Sequence, residues 1–315
     1  MTPVHSVTVQ IVTYNSAEDI TDCLDAVLKQ TYPIDQILVI DNASKDGTAD
    51  RVSSYIKDLG QPRVQFVPNL SNSGFAPAHN QGIRMTQSDY VLVLNPDVEL
   101  GAEYVERIVK LMDRHREVGS ATGLLLLKSS PDIVDSTGLL MNGIWRAVDR
   151  GAGEPATKWG ESGEVFGVSG AAAVYRRAMI EEISMQGEFF DEDFFAYKED
   201  VDVAWRANLL GWKAYYCADA LATHARGWKK GSRNQQPLAI RRYSYINRYK
   251  MIYKNLSGSH WVKHLPKLLA FEIASNAYML LREPKVLGAW TGFIQQLPEL
   301  RKKRREIMKG RKSKS

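Results

Sequence analysis

Short apolar runs and amphipathic stretches take turns along the first 127 positions. VTVQIVTY (7–14), QILVIDN (36–42), VQFVPN (64–69), YVLVLN (90–95) and SATGLLLL (120–127) are compact and apolar, which predicts five strands. Helical periodicity fills the gaps: Ala17 to about Gln30, DGTADRVSSYIKDL, FAPAHNQGIRMT (75–86) and AEYVERIVKLMDRHR (102–116). Ser16 with Asp19 three residues on has the look of a capping box for the first helix. Strands and helices alternating at this spacing predict an α/β fold, a mostly parallel central sheet with helices on both faces.

From Pro131 to Glu164 the pattern loosens into irregular, glycine-rich sequence, and it sharpens again at EVFGVSGAAAVYRR (164–177). An acidic aromatic loop, a helix and a strand are expected in FFDEDFFAYKEDVDVAWRANLLGWKAYYC. Beyond Gly231 two helices are predicted, RRYSYINRYKMIYKN (241–255) and WVKHLPKLLAFEIASNAYMLL (261–281). The expected organisation is one α/β domain over 1–230, with a division near 127/128. A helical region over 231–300 and a basic tail over 301–315 complete it.

Charge changes this picture only at the end of the chain. Residues 301–315 hold nine Lys and Arg against one Glu, while the whole chain is +5, so the remainder is slightly acidic. Such a tail suits anionic lipid or nucleic acid, with a solvated, disordered end as the alternative. The longest stretch without Lys or Arg in the second C-terminal helix, Leu268 to Leu281, falls short of the ~20 apolar residues a membrane span needs. An interfacial helix, with Lys263, Trp261 and His264 near one end, fits better. Cys23 and Cys217 stand far apart with no ligand partners, which argues against a disulfide framework or zinc site and for a reducing compartment. No signal peptide is recognisable, and strand-like sequence already begins by Val7.

The chemistry is carried by acids at strand ends and a helix start: Asp41 in VIDNAS, Asp97 in LNPD, and Glu199-Asp200 in YKEDVD. Carboxyl ends of neighbouring parallel strands converge on one edge, where open sheets bind ligands. Neither a G-x-G-x-x-G fingerprint after the first strand nor a P-loop is present.

These pieces, in order with VTVQIVTYNS, VIDNASKDGT, NSGFAPAHNQGI, YVLVLNPDVEL, VSGAAAVYRR and FFDEDFFAYKEDVDVAWRANLLGW, resemble glycosyltransferase family 2. The branch they resemble most is the bacterial rhamnosyltransferase-like one. The resemblance spans roughly residues 5 to 228 and implies the Rossmann-like GT-A fold plus a C-terminal helical region. It implies that Thr13, Tyr14, Asn15, Asp41 and Asn95 bind the nucleotide. A turn or helix-capping role is the alternative for Asp41. Asp97 and His224 are implied as ligands of a divalent metal ion, magnesium or manganese, with Asn95 where many relatives carry another aspartate. For His224 a purely structural role is the alternative. Asp200 is implied as the catalytic base, with Glu199 as its understudy. Ser169, Gly170, Ala171 and Asp191 are expected at the sugars, and Arg176, Arg177, Trp228 and Lys229 at the diphosphate.

The expected function is therefore an inverting glycosyltransferase in bacterial envelope polysaccharide synthesis. Its expected donor is dTDP-β-L-rhamnose, with a UDP-sugar as the alternative. The acceptor is expected to be a polyprenyl-diphosphate-linked glycan. Expected partners also include an anionic membrane surface and a second copy of the chain, but no nucleic acid. The expected location is cytoplasmic, peripheral on the inner face of the plasma membrane. A nucleotidyltransferase would carry a basic, glycine-rich loop after the first strand, where TYNSAED stands instead. A non-catalytic membrane or nucleic-acid binder would leave the three acids unexplained.

Overall fold

The computed structural model describes residues 5–226, 233–257 and 264–312. Its first half follows the apolar runs: β1 (Val7–Thr13), α1 (Ile20–Leu28), β2 (Gln36–Asp41), α2 (Thr48–Leu59), β3 (Val64–Pro68), α3 (Phe75–Met85), β4 (Tyr90–Leu94), β5 (Val98–Leu100), α4 (Tyr104–Arg114) and β6 (Val118–Leu127). Ser16 caps α1 with its carbonyl, which accepts from Asp19 and Ile20 N–H; Asp19 makes no side-chain cap bond. The predicted capping box does not form.

All five residues of β4 are buried. Tyr90, Leu92 and Leu94 pack with α1 and α4, while Val91 and Val93 pack on the opposite face with α3. A central strand buried on both faces reads as continuous apolar sequence, and each such side chain contributes roughly 1.5–3 kcal/mol.

The loosely patterned stretch holds short strands: β7 (Ser130–Ser136), β8 (Leu139–Met141), β9 (Ala147–Asp149) and β10 (Gly163–Val165). Then come β11 (Ala172–Arg176), α5 (Arg177–Ile183), α6 (Glu199–Leu209) and β12 (Lys213–His224). The sheet order is β10-β12-β6-β11-β4-β1-β2-β3, with β5 paired to β12 and β7 to β6. The β3, β2, β1 and β4 strands are parallel, as are β6 and β12. β11 runs antiparallel between β4 and β6.

Three helices close the described chain: α7 (Leu238–Asn255), α8 (Leu265–Arg282) and α9 (Ala289–Lys312). The expected boundary at 300/301 is not a structural one, because α9 runs through it. Nor is the basic segment simply solvated. Leu300, Lys303 and Ile307 are buried on one helical stripe, and Arg304 donates to the carbonyls of Tyr253, Lys254 and Leu256. α8 contains no buried residue.

Candidate active site

β1 and β2 end side by side, with Thr13 paired to Asp41. The Thr13 hydroxyl donates to Asp41 Oδ1 at 2.7 Å. Ser44 donates its hydroxyl to the same oxygen at 2.5 Å and its N–H to Oδ2 at 2.9 Å. Asp41 thus holds its own turn together, and three of a carboxylate's four acceptor sites are used. The loop after β1 is zipped to the loop after β2: Asn15 N–H donates to Ser44 Oγ, and Lys45 N–H to Asn15 Oδ1, both at 2.8 Å. Asn15 sits at φ 55°, a left-handed conformation that asparagine tolerates better than most residues. Tyr14, 49% exposed, stands at the mouth above this buried floor.

The metal-motif segment leaves β4 at Asn95, whose N–H donates to Ala171 O at 2.8 Å. Pairing of β5 with β12 sets His224 opposite Val98 and so beside Asp97. His224 Nε2 lies 3.3 Å from Asp97 Oδ1, and Nδ1 lies 2.7 Å from Asp135 Oδ2. Arg226 bridges Asp135 and Asp149 at 2.5 and 2.6 Å. Burial disfavours the imidazolium, but Asp135 and Asp97 outweigh it and push His224 up to about 9. Burial likewise raises the Asp97 carboxyl, yet the bond to His224 brings it below its ordinary value.

Asp135 escaped the sequence reading, which took its surroundings as irregular. Its one signal is an acid at the end of the apolar pair Ile133-Val134.

Asp97 and His224 fit a magnesium or manganese ion. They supply a hard carboxylate oxygen and, once the ion displaces the proton from Nε2, an imidazole nitrogen, and Asp135 would orient the ring through its other nitrogen, as carboxylates do for metal-binding histidines. Among the described residues no group of three or more His, Cys, Asp or Glu is arranged to hold an ion alone. The fit is to an ion shared with ligand oxygens and water, not to a closed protein cage.

Glu199 and Asp200 open α6, next to the turn Ser169-Gly170-Ala171 that precedes β11. Asp200 Oδ2 accepts from Gly170 N–H at 3.3 Å, and Oδ1 from Val201 N–H at 2.7 Å. Since Ala171 O holds Asn95 N–H, this single turn ties the start of α6 to the end of β4. A Cβ on Gly170 would lie 3.1 Å from the Phe75 ring, so the turn is closely walled. Burial raises the Asp200 carboxyl, opposed by Lys198 and the two N–H donors. Glu199 is 7% exposed, its Oε2 has no hydrogen-bond partner, and burial followed by repulsion from Asp200 pushes it up to about 8. The partly exposed member of the pair is Asp200.

Several sequence expectations are corrected. Asp191, expected at the sugars, is fully buried and its carboxylate is taken up by Lys254 and Lys303. Asp202, in the first turn of α6, is buried between Arg206 (2.9 Å), Lys254 (2.9 Å) and Asn255. Arg176 and Arg177 cannot serve the diphosphate. β11 is antiparallel to β4, so Arg176 lies opposite Tyr90, at the end of β4 remote from Asp97. There Arg176 donates to the carbonyls of Met112, His115 and Val118, and Arg177 to those of Ile83 and Ser88. Trp228 and Lys229, with Lys230 beside them, lie outside the described residues.

The fold has known counterparts. Two solved structures share the fold: a mannosyltransferase from Pyrobaculum calidifontis in complex with GDP-Man and Mn2+ (19% identity, TM-score 0.60, 98% of this chain and 86% of that one), and Staphylococcus aureus TarS 1–349 in complex with UDP-GlcNAc (19%, 0.61, 97% and 89%). Among curated relatives, poly-beta-1,6-N-acetyl-D-glucosamine synthase is 24% identical over 210 residues in Staphylococcus epidermidis. In Staphylococcus aureus strain COL it is 26% identical over 212. These alignments cover 66% and 67% of this chain but 47% of each relative, so the match spans about half the relatives' length. The model of the family described as "Glycosyl transferase family 2" matches residues 8–184, and the chain belongs to that family.

Proposed function

We propose that this enzyme is an inverting glycosyltransferase that moves a sugar from a nucleoside diphosphate to a glycan hydroxyl. The observation that carries the reading is the Ser169–Ala171 turn, which couples the Asp200 carboxylate to the strand end bearing Asp97. Thr13, Tyr14, Asn15 and Asp41 form the nucleotide end of the site. Asp97 and His224 would hold a divalent cation, which when bound offsets the charge growing on the diphosphate. Asp200 accepts the acceptor hydroxyl's proton while that oxygen bonds to the anomeric carbon. The bond from this carbon to the diphosphate breaks, and its electron pair departs with the nucleotide. Glu199, protonated at neutral pH, leaves Asp200 as the one ionised acid of the pair.

A UDP-linked sugar of the N-acetylhexosamine class is the donor best supported, by the relatives that make poly-N-acetylglucosamine and by the TarS complex with UDP-GlcNAc. Asn95 favours a second reading, dTDP-β-L-rhamnose, since the rhamnosyltransferase-like branch that the sequence resembles often carries asparagine there. Titration calorimetry with UDP-GlcNAc, dTDP-rhamnose and GDP-mannose in manganese separates the two. Tightest binding of UDP-GlcNAc is expected. Tighter dTDP-rhamnose transfers the assignment, and binding of no nucleotide sugar overturns it.

The acceptor is a lipid-linked glycan reached at the inner face of the plasma membrane, with the C-terminal helices against the bilayer. No described helix is long and apolar enough to cross a membrane. α8 nevertheless exposes Leu269, Ile273, Tyr278, Leu280 and Leu281, with Ile273 70% and Leu281 79% exposed. Its acids turn inward: Glu272 pairs with Arg248, and Glu283, just past its end, with Arg233 and Arg241. Lys267, Arg282 and Lys285 are left exposed around the apolar face, complementary to anionic lipid. Sedimentation with phosphatidylglycerol-containing vesicles should capture the wild type. The double change Ile273→Glu, Leu281→Glu should reduce capture about 10-fold or more. Equal capture of both proteins contradicts this face as the contact.

A further inference from the structure

The loop before Asp200 is held by the C-terminal helices, and one residue of α7 has the leading part. Backbone φ is 56° at Phe195, 71° at Tyr197 and 77° at Lys198. None is glycine, and residues held in such regions cost on the order of 1–3 kcal/mol each, so the surroundings must fix them. Asn247 is fully buried, and its Nδ2 donates to Phe194 O (2.8 Å), Ala196 O (2.9 Å) and Tyr197 O (2.9 Å). Three carbonyls converge on one amide nitrogen, so the amide has a single orientation, and its own oxygen is left without a partner.

The rest of the loop is fastened in the same way. Lys250 donates to Asp193 O at 2.6 Å, Phe75 N–H to Phe195 O at 2.7 Å, and Asp202 N–H to Lys198 O at 2.9 Å. Every carbonyl from Asp193 to Lys198 therefore has a partner, and α7 side chains supply donors for four of the six. Tyr243 of α7 stacks on Phe195 with ring centroids 4.9 Å apart. One turn further on, Lys254 binds Asp191 and Asp202, and Lys303 of α9 binds Glu188, Asp191 and Asp193. Lys198, the last left-handed residue, is the N-cap of α6, with Asp200 two residues on.

We propose that Asn247 is a positioning residue: by donating to these three carbonyls it holds the left-handed loop and, through Lys198, sets Asp200 at the reacting hydroxyl. The inference rests on the reading of Asp200 as base. It makes the C-terminal helices part of the catalytic apparatus as well as a surface for docking. The donor's contacts lie on other loops, so loss of Asn247 should impair turnover and spare donor binding.

The test is Asn247→Leu, which keeps the volume and removes the donors, assayed for UDP-GlcNAc hydrolysis with manganese, donor dissociation constant and thermal midpoint. A displacement near 1 Å can cost about 100-fold in rate, and a fall of that order is expected with the dissociation constant within about threefold of wild type. Asn247→Ser keeps one donor, is the fallback where the leucine variant does not fold, and should lose an intermediate amount. Tyr245→Phe removes an α7 hydroxyl that faces Asn276 of α8, and should lower the midpoint without lowering turnover. Turnover of the folded Asn247 variants within threefold of wild type overturns the inference, as does a loss matched by weaker donor binding. Asp200→Asn measured alongside separates the two ideas, because its retention of turnover removes the base assignment and not merely the role of Asn247.

Discussion

Asp200→Asn is expected to lower turnover by about 10³-fold while the donor's dissociation constant stays within about a factor of three. The change keeps the shape and one of the two bonds from backbone N–H, because the amide nitrogen cannot accept the other, and it removes the group that takes the proton. The pH profile supplies the sign. Burial places the Asp200 carboxyl above its ordinary 3.8, with Lys198 and the N–H groups of Gly170 and Val201 limiting the rise. The base form fills as pH rises through this raised value. Activity should therefore fall on acidification, at a higher pH than a free aspartate would give. Glu199 stays protonated up to about 8, so it adds no second charge to the pair in the neutral range. The asparagine variant should lack the acid limb due to Asp200. Isothermal calorimetry and steady-state rates across pH check both statements, and an unchanged acid limb in the variant would remove Asp200 from the chemistry.

Asp97→Ala is expected to act on binding first. Asp97 is the carboxylate beside His224 Nε2, 3.3 Å away, and the described residues provide no third protein ligand there. A cation loses its anionic protein ligand, and with it several kcal/mol of charge stabilisation at the diphosphate. Donor affinity in manganese should fall about 100-fold, and chelation of wild-type protein should produce a similar loss. Asp135→Asn leaves both ligands but weakens the hold on His224 Nδ1, and should weaken metal binding roughly 10–100-fold. Manganese titration by electron paramagnetic resonance measures both variants. Wild-type affinity in Asp97→Ala would place the ion elsewhere.

Most of the first 127 residues was legible because the long strands are compact apolar runs and each helix has one apolar face; the three-residue β5, which brings His224 beside Asp97, was missed because it is too short to show a period. Successive buried residues of β4 pack on alternate faces of the sheet, as the pleat requires. Strand direction was not legible, since an apolar run reads the same either way along the chain. β11 runs backwards, and that alone carries Arg176 and Arg177 to the wrong end of the sheet.

Between 131 and 164 the strands are mostly three residues long, too short to display a period, and β10 pairs with β12 some fifty positions downstream. Asp135 was lost with them. The partners of Asp191 lie 63 and 112 positions downstream, at Lys254 and Lys303, and nothing local announces a lysine that will be buried. The basic end did carry a signal. Leu300, Lys303, Arg304 and Ile307 recur at helical spacing, and net charge masked that stripe.

The proposed mechanism has one base, Asp200, and no carboxylate nucleophile, which makes the stereochemistry the most direct measurement. Proton NMR of UDP-GlcNAc hydrolysis, with water standing in for the acceptor, reports which anomer of N-acetylglucosamine appears before mutarotation. The donor's sugar is α-linked, so attack assisted by Asp200 on the face opposite the diphosphate should release the β anomer first. First release of the α anomer would require retention, and would contradict a mechanism in which Asp200 acts as a single base.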